Sequence, residues 1–263
     1  MNESLTDPVP AARRPATLGV VRDGAVLRVR LDRPDTGNAV TEAMLDDLLS
    51  VLVDPDPGIR VIVLSAAGDD FCLGGDRDEY DLMAREDPTG RGVQLIGAKA
   101  RRVIESLTGS PAVTIARLQG RVTGAGLGLA IACDLRVGAD TATFRLPELA
   151  LGMPLAWGGA LPRLIHEMGA ARLRELVLTS RAFDAEEALH LSVLQKVVPE
   201  DSLDEAVARW VAPVLRRPEM ALRITKALLS SYAAPTRLAD PTALDAELLA
   251  AVVAARHHTT AAP

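Results

Sequence analysis

Two glycine-bearing turns hold the residues best placed to do chemistry: Phe71-Cys72-Leu73-Gly74-Gly75-Asp76, and the stretch from Gly120 through Thr123-Gly124-Ala125-Gly126-Leu127-Gly128. Each follows a β-prone apolar run, and the second opens a short apolar segment. Glycine permits positive φ and close approach of a ligand to the main chain, and the first turn of a helix exposes N–H groups with no partner inside it. Such donors suit an anion, or an oxyanion that develops during a reaction. The same glycines also suit tight packing of helix on strand, so either turn alone is ambiguous. The second turn lacks the lysine of a phosphate-binding loop, and no acidic residue ends a following strand where a dinucleotide fingerprint requires one.

The elements that must position these turns follow from periodicity. Residues 18–22 and 25–31 are β-prone and flank Asp23-Gly24, which predicts a hairpin. Thr41 can cap a helix carrying Met44, Leu45, Leu48, Leu49 and Leu52 at helical spacing. A buried strand over 60–65 leads through a polar loop at 71–76, and a helix with Val93, Ile96, Ala100, Val103, Ile104 and Leu107 on one face runs toward Pro111. The succession recurs as a strand over 112–118, the second glycine turn, a helix near 125–133 and strands near 135–138 and 143–146. Beyond Gly158 the pattern is helical, at 159–168, 170–179, 184–191, 203–215, 218–231 and 241–256, with one strand at 194–198. This predicts an α/β core over residues 16–200 and a helical region over 201–263. Residues 1–15, with three prolines and no periodicity, are expected to be a disordered leader.

Composition narrows the partners. The 263 residues are 48% apolar but only 3% aromatic, so the core is aliphatic and a stacking platform for nucleotide bases is disfavoured. The net charge is −6 and the basic residues are dispersed, leaving no footprint for nucleic acid or anionic membrane. No apolar run is long enough for a signal peptide or membrane span, and the two cysteines, Cys72 and Cys133, have no metal-ligand spacing, so a cytoplasmic protein is expected. Both cysteines read as small buried hydrophobes. His166, His190, His257 and His258 have no partner at metal or triad spacing, and no metal site is expected.

Taken in order, the motifs resemble those of the crotonase, or enoyl-CoA hydratase/isomerase, superfamily. The matching residues are Leu31-Asp32-Arg33-Pro34 with Asn38-Ala39, the two glycine turns through Cys133-Asp134, Phe144-Arg145-Leu146-Pro147-Glu148 and Leu151-Gly152-Met153-Pro154. Gly159-Ala160-Leu161-Pro162-Arg163-Leu164, then the stretch from Arg181 to Ala188 and Val198-Pro199, complete the series. The resemblance implies a crotonase-like spiral of repeated ββα units with a C-terminal helical region that packs between subunits, in a homotrimer or dimer of trimers. It implies an acyl-CoA thioester as substrate, with no cofactor beyond the coenzyme A that the substrate carries. An oxyanion hole would come from the amides of Gly75 and Ala125, with Gly74, Asp76, Arg77, Asp78 and Gly124 lining the thioester and pantetheine. Arg33 and Ala39 would meet the nucleotide end, and Lys226 would approach coenzyme A, on its own or a neighbouring subunit.

The acid–base residues depart from the family pattern. Hydratases of the family hold a water between two glutamates; the first position is Gly128 here and the second is Glu148. Glu148 follows Pro147 among apolar neighbours, so a partly buried carboxylate with a raised pKa is expected. One carboxylate best serves proton shuttling, as in the isomerases of the family. Three alternatives stay open: hydration by Glu148 alone or with Asp76 or Asp78, decarboxylation of a malonyl-type thioester, and acyl-CoA binding without catalysis. Trp157, in Ala156-Trp157 where relatives often carry glycines, would either wall an acyl pocket or pack beneath the next helix.

Overall fold

The computed structural model describes residues 15–87, 89–233 and Ala250. Most of the expected leader, nearly all of the helix expected over 241–256, and His257 and His258 lie outside the described residues. The chain opens with β1 (Leu18–Asp23) and β2 (Val26–Leu31), paired antiparallel from Leu18↔Leu31 to Asp23↔Val26. The turn is Gly24-Ala25, one residue later than the expected Asp23-Gly24. Gly24 sits first in the turn at φ 57°, a left-handed conformation that costs glycine nothing. Thr41 caps α1 (Glu42–Leu52) by accepting from Met44 N at 3.2 Å, as the capping signal predicts.

Next come β3 (Val61–Ala66), α2 (Arg77–Glu86), α3 (Arg91–Thr108), β4 (Val113–Leu118), β5 (Arg121–Thr123) and α4 (Ala125–Ala132). They are followed by β6 (Leu135–Ala139), β7 (Thr143–Arg145), α5 (Leu161–Met168), α6 (Ala170–Thr179), β8 (Ala182–Asp184) and α7 (Ala185–His190). The described chain ends with β9 (Lys196–Val198), α8 (Leu203–Arg216) and α9 (Glu219–Ala233), apart from Ala250. Three of these elements are not anticipated by periodicity. Helix α2 buries only Tyr80 and Ala84, too narrow a stripe to register as amphipathic, while β5 and β8 are three residues each, too short to display a period of two.

Six strands form one sheet in the order β1-β2-β3-β4-β6-β9, parallel throughout except for the opening hairpin. The central strands are buried on both faces, which explains why β3 and β4 read as near-continuous apolar runs rather than alternating ones. Helix α4 is buried at all eight positions and so shows no polar face. Helix α8 returns Leu203, Ala206, Val207 and Val211 to the same core. A second sheet, β5-β7-β8, is smaller: β5 runs parallel to β7, and β7 antiparallel to β8, where Phe144 stacks on Phe183 at 5.5 Å. Among the described residues no helix is long and apolar enough to cross a membrane.

The glycine turns meet because β5 begins at a tight corner. Gly120, at φ 55°, lets the chain turn against the first loop, and a Cβ there would stand 1.9 Å from Asp69 O. Arg121 then pairs with Asp70 at 2.6 Å, which holds the Asp70 carboxyl below its usual range. We expect Gly120→Ala to lower the unfolding free energy by at least about 3 kcal/mol, overpacking added to backbone strain. Gly152→Ala is the control: Gly152 has φ +70° and, among the described residues, no atom within 4 Å of an added Cβ, so the left-handed strain of about 1 kcal/mol is the expected cost. Equal losses in urea denaturation would show that the corner does not depend on close approach.

Candidate active site

Main-chain hydrogen bonds set the two glycine turns side by side. Residues 71–76 run between the loop at 37–40 and β5: Leu73 N donates to Gly37 O at 3.0 Å, Val40 N to Gly74 O at 2.8 Å, and Asp76 N to Val40 O at 2.9 Å. On the other side Cys72 N donates to Arg121 O at 3.2 Å and Thr123 N to Cys72 O at 2.9 Å. The parallel bridges Val40↔Gly75 and Cys72↔Val122 are the result. The backbones are then so close that a Cβ on Gly74, itself at φ +104°, would lie 3.4 Å from Thr123 O and 3.9 Å from Ala125 N.

Immediately past this pairing, both chains present amides. Ala125 is the first residue of α4, whose N-terminal residue Gly124 (φ 51°) offers no side chain to cap it. Among the described residues neither Gly75 N nor Ala125 N makes a hydrogen bond. Helix α4 adds its positive N-terminal end to the same spot, so a negative oxygen there would be favoured twice, by the donors and by the dipole.

Glu148 reaches this place through the small sheet. Strand β7 lies parallel to β5 in the register Arg121↔Thr143 to Thr123↔Arg145, and Gly124 N donates to Arg145 O at 3.0 Å. Three residues further on, Glu148 stands beside Gly124, where an added Cβ would be 3.1 Å from Glu148 Oε1. Its main-chain carbonyl accepts from Leu151 N and Met153 N, which ties the segment down. The side chain is only 8% exposed and its Oε2 makes no hydrogen bond among the described residues. Burial therefore pushes the carboxyl up to about 7, with a bond to its own main-chain amide a smaller opposing effect.

The remaining borders are aromatic. Tyr80 of α2 packs on Gly75, where a Cβ would meet its ring and hydroxyl at 2.8 and 2.9 Å. Trp157 packs on Gly128: a Cβ there would meet Trp157 Cε3 and Cζ3 at 2.8 and 2.9 Å, so the indole fills the space that a larger residue at 128 would need. This contact is with α4 and does not by itself exclude the other expected role, a wall of the acyl pocket. Burial raises the Tyr80 hydroxyl to about 12, so it remains a donor at neutral pH. Sequence reading missed Tyr80 because it missed α2; the available signal was Asp76-x-x-Glu79, a capping pattern in which Asp76 Oδ1 accepts from Glu79 N at 3.2 Å.

The other expected site residues divide into two groups. Arg33, Ala39 and Asp76 do come together beside Gly75: Arg33 Nη1 donates to Ala39 O at 2.6 Å and Nη2 lies 3.7 Å from Asp76 Oδ2. Arg77 and Asp78 are exposed on the first turn of α2. Within the chain, Lys226 is not brought to the site. Its ammonium is buried in an ion pair with Asp134 at 2.7 Å and donates to Ala112 O at 2.6 Å, at the opposite end of α4 from Ala125. A lysine on an amphipathic helix carries no sequence sign of the partner it will bury against. Cys72 and Cys133 are buried free thiols, both pushed up to about 12 by burial, and so are not nucleophiles. His166 and His190 are exposed, and among the described residues no three His, Cys, Asp or Glu side chains are grouped to hold a metal ion.

Residues 22–261 match the family model described as enoyl-CoA hydratase/isomerase. A probable enoyl-CoA hydratase of Mycobacterium avium (strain 104) is 31% identical over 210 residues, 78% of each chain. The mevalonyl-coenzyme A hydratase SIDH of Beauveria bassiana is 33% identical over 216 residues, 77% of this chain and 74% of that one. Among solved structures, a putative enoyl-CoA hydratase from Thermobifida fusca in complex with acetoacetyl-CoA superposes with a TM-score of 0.76 at 31% identity, covering 93% of this chain and 96% of that one. An enoyl-CoA hydratase from Shewanella pealeana gives 0.78 at 28% identity, covering 84% and 82%.

The Glu148 environment makes a prediction independent of activity. A carboxyl whose pKa rises from 4.5 to about 7 on folding binds its proton more tightly when native. Its favourable contribution is complete below pH 4.5 and is lost as pH rises to about 7. Glu148→Gln removes this loss, so its stability relative to the unsubstituted protein should be unchanged near pH 4.5 and improved by on the order of 2–3 kcal/mol at pH 8. Chemical denaturation at both pH values measures it; the same difference at both would mean that Glu148 is not destabilised by charge.

Proposed function

Since the chain belongs to the enoyl-CoA hydratase/isomerase family, we propose that it binds an enoyl thioester of coenzyme A and moves the double bond, using Glu148 as the single base. The carboxylate of Glu148 takes a proton from C2 of a 3-enoyl thioester, and the electron pair passes to the thioester oxygen as a dienolate. The amides of Gly75 and Ala125 donate to that oxygen. Glu148 then returns the proton at C4, leaving the double bond between C2 and C3. One carboxyl with a pKa of about 7 suits both halves, because at neutral pH it is ready to accept a proton and to give it back. In such sites one oxyanion donor is worth about 2.7–4 kcal/mol of barrier.

The observation that carries this reading is the closure of position 128. Trp157 occupies the volume a second carboxylate would need there. Asp76 does not replace it, being engaged as the cap of α2 and beside Arg33, and Asp78 is exposed. Gly74, Gly124, Arg33 and Ala39, with Asp76 to Asp78, then border the thioester, pantetheine and nucleotide, and the scheme needs no further cofactor. Relatives named as hydratases favour a second reading, in which Glu148 alone activates a water that adds to a 2-enoyl thioester.

Incubation with 3-enoyl-CoA and with 2-enoyl-CoA separates them. We expect double-bond migration, with kcat/KM rising through an apparent pKa of about 7. Glu148→Gln should lower it by roughly 10²–10⁴-fold. Undiminished turnover in that variant would remove Glu148 from the mechanism, and formation of a 3-hydroxyacyl product alone would select hydration.

Assembly forms part of the same proposal. Helix α9 exposes Met220, Ile224 and Leu228, four residues apart and so on one face, and a homotrimer or dimer of trimers would cover them within the C-terminal helical region. Light scattering should give three or six chains per particle, and Ile224→Glu should dissociate it; a monomer at micromolar concentration would contradict the assembly.

A further inference from the structure

Among the described residues, three buried side-chain atoms bordering the glycine turns make no hydrogen bond: Tyr80 Oη, Glu148 Oε2 and Trp157 Nε1. One of the three residues, Glu148, already has a role in the proposed reaction. Tyr80 Oη and Trp157 Nε1 have none.

Those two atoms lie together. The indole lies against Gly128 through Cε3 and Cζ3, while its N–H faces the Tyr80 hydroxyl without completing a hydrogen bond. Tyr80 is 5% exposed, and its hydroxyl is beside Gly75, one of the two unpartnered amides. A hydroxyl or indole N–H buried without a partner is costly, and an apolar acyl chain lying here would leave both donors unsatisfied. Phenylalanine at position 80 would fill the same ring space without that cost, so the polar atoms call for an acceptor brought by the ligand. Both are neutral donors, and Glu148 is close to the same turns; a neutral oxygen is therefore a better match than a second carboxylate, which would meet like charge.

We infer that Tyr80 Oη and Trp157 Nε1 form a two-donor clamp for a hydroxyl or carbonyl oxygen carried on the substrate's acyl chain near the thioester, which makes an oxygenated acyl-CoA the preferred substrate class. This rests on the acyl-CoA reading above and adds what selects among thioesters. The two residues are specificity-determining: they hold an oxygen that does not react, while the proton transfer stays with Glu148. A site built to hydrogen-bond a substrate hydroxyl discriminates strongly against the analogue lacking it, because the donors are then left unpaired.

The test is binding, measured by calorimetry on the 263-residue chain with isosteric pairs of saturated thioesters. 3-Hydroxybutanoyl-CoA is compared with 3-methylbutanoyl-CoA, and 4-hydroxypentanoyl-CoA with 4-methylpentanoyl-CoA, so that hydroxyl replaces methyl at either position. At least one hydroxylated member should bind ten-fold or more tightly than its partner. Tyr80→Phe and Trp157→Phe should each abolish most of that preference while changing affinity for the methyl compounds less than three-fold. Equal or tighter binding of both methyl compounds by the unsubstituted protein overturns the clamp and leaves the acyl-CoA reading standing. An equal loss on both members of a pair in the variants also overturns it, since the aromatics would then be packing alone. Binding of no thioester overturns both. Because the first comparison uses the unsubstituted protein, the result does not depend on either variant folding.

Discussion

The whole site depends on one main-chain contact, the parallel pairing of Cys72 with Val122. It brings together two segments some fifty residues apart, and Gly74, Gly120 and Gly126 let them approach without a Cβ between them. At Gly126 an added Cβ would lie 2.6 Å from Cys72 O, and at Gly120 it would lie 1.9 Å from Asp69 O. The buried Cys72 completes the fit as a small side chain with no reactivity at neutral pH, its thiol pushed up to about 12. Everything downstream inherits its position from this contact: the amides of Gly75 and Ala125, the start of α4, and, through β7, Glu148.

Glu148 illustrates how burial rather than a neighbouring charge tunes a functional group. Among the described residues no cation pairs with it; its raised pKa comes from lost hydration, and the fold tolerates that because β7 and the bonds to its main-chain carbonyl hold the segment in place. The cost in stability at neutral pH is carried by a large aliphatic core built on β3, β4, α4 and α8. Elsewhere the protein handles buried charge differently. Arg136 is fully buried yet surrounded by Glu167 and by the carbonyls of Cys133, Ser192 and Val193, so its charge is compensated, as is that of Lys226 by Asp134. The contrast sets Glu148 apart from the structural ion pairs.

Trp157 has two consequences for the chemistry proposed. Its ring leaves no room for a side chain at Gly128, and the proposed reaction accordingly assigns proton transfer to a single carboxyl. Its N–H is turned toward Tyr80 instead, and in the clamp inferred above the two neutral donors hold an acyl oxygen.

The sequence alone determined the family, the α/β alternation, the glycine turns and the raised pKa of Glu148, because these rest on local signals: periodicity, capping at Thr41, and apolar neighbours around a carboxyl. The resemblance assigned Arg33 and Ala39 to the nucleotide end of the thioester; that they stand beside Asp76 appears only in the fold. What the sequence did not determine are relations between distant segments. Helix α2 was hidden because only Tyr80 and Ala84 mark its buried face, and with it went Tyr80. Lys226 looked like a free cation because Asp134, ninety-two residues earlier by number, lies beside it only in the folded chain. The contact of Trp157 with Gly128 likewise appears only when α4 and the loop after Glu148 are packed together, since steric exclusion is a property of two surfaces in contact and is present in neither stretch of sequence by itself.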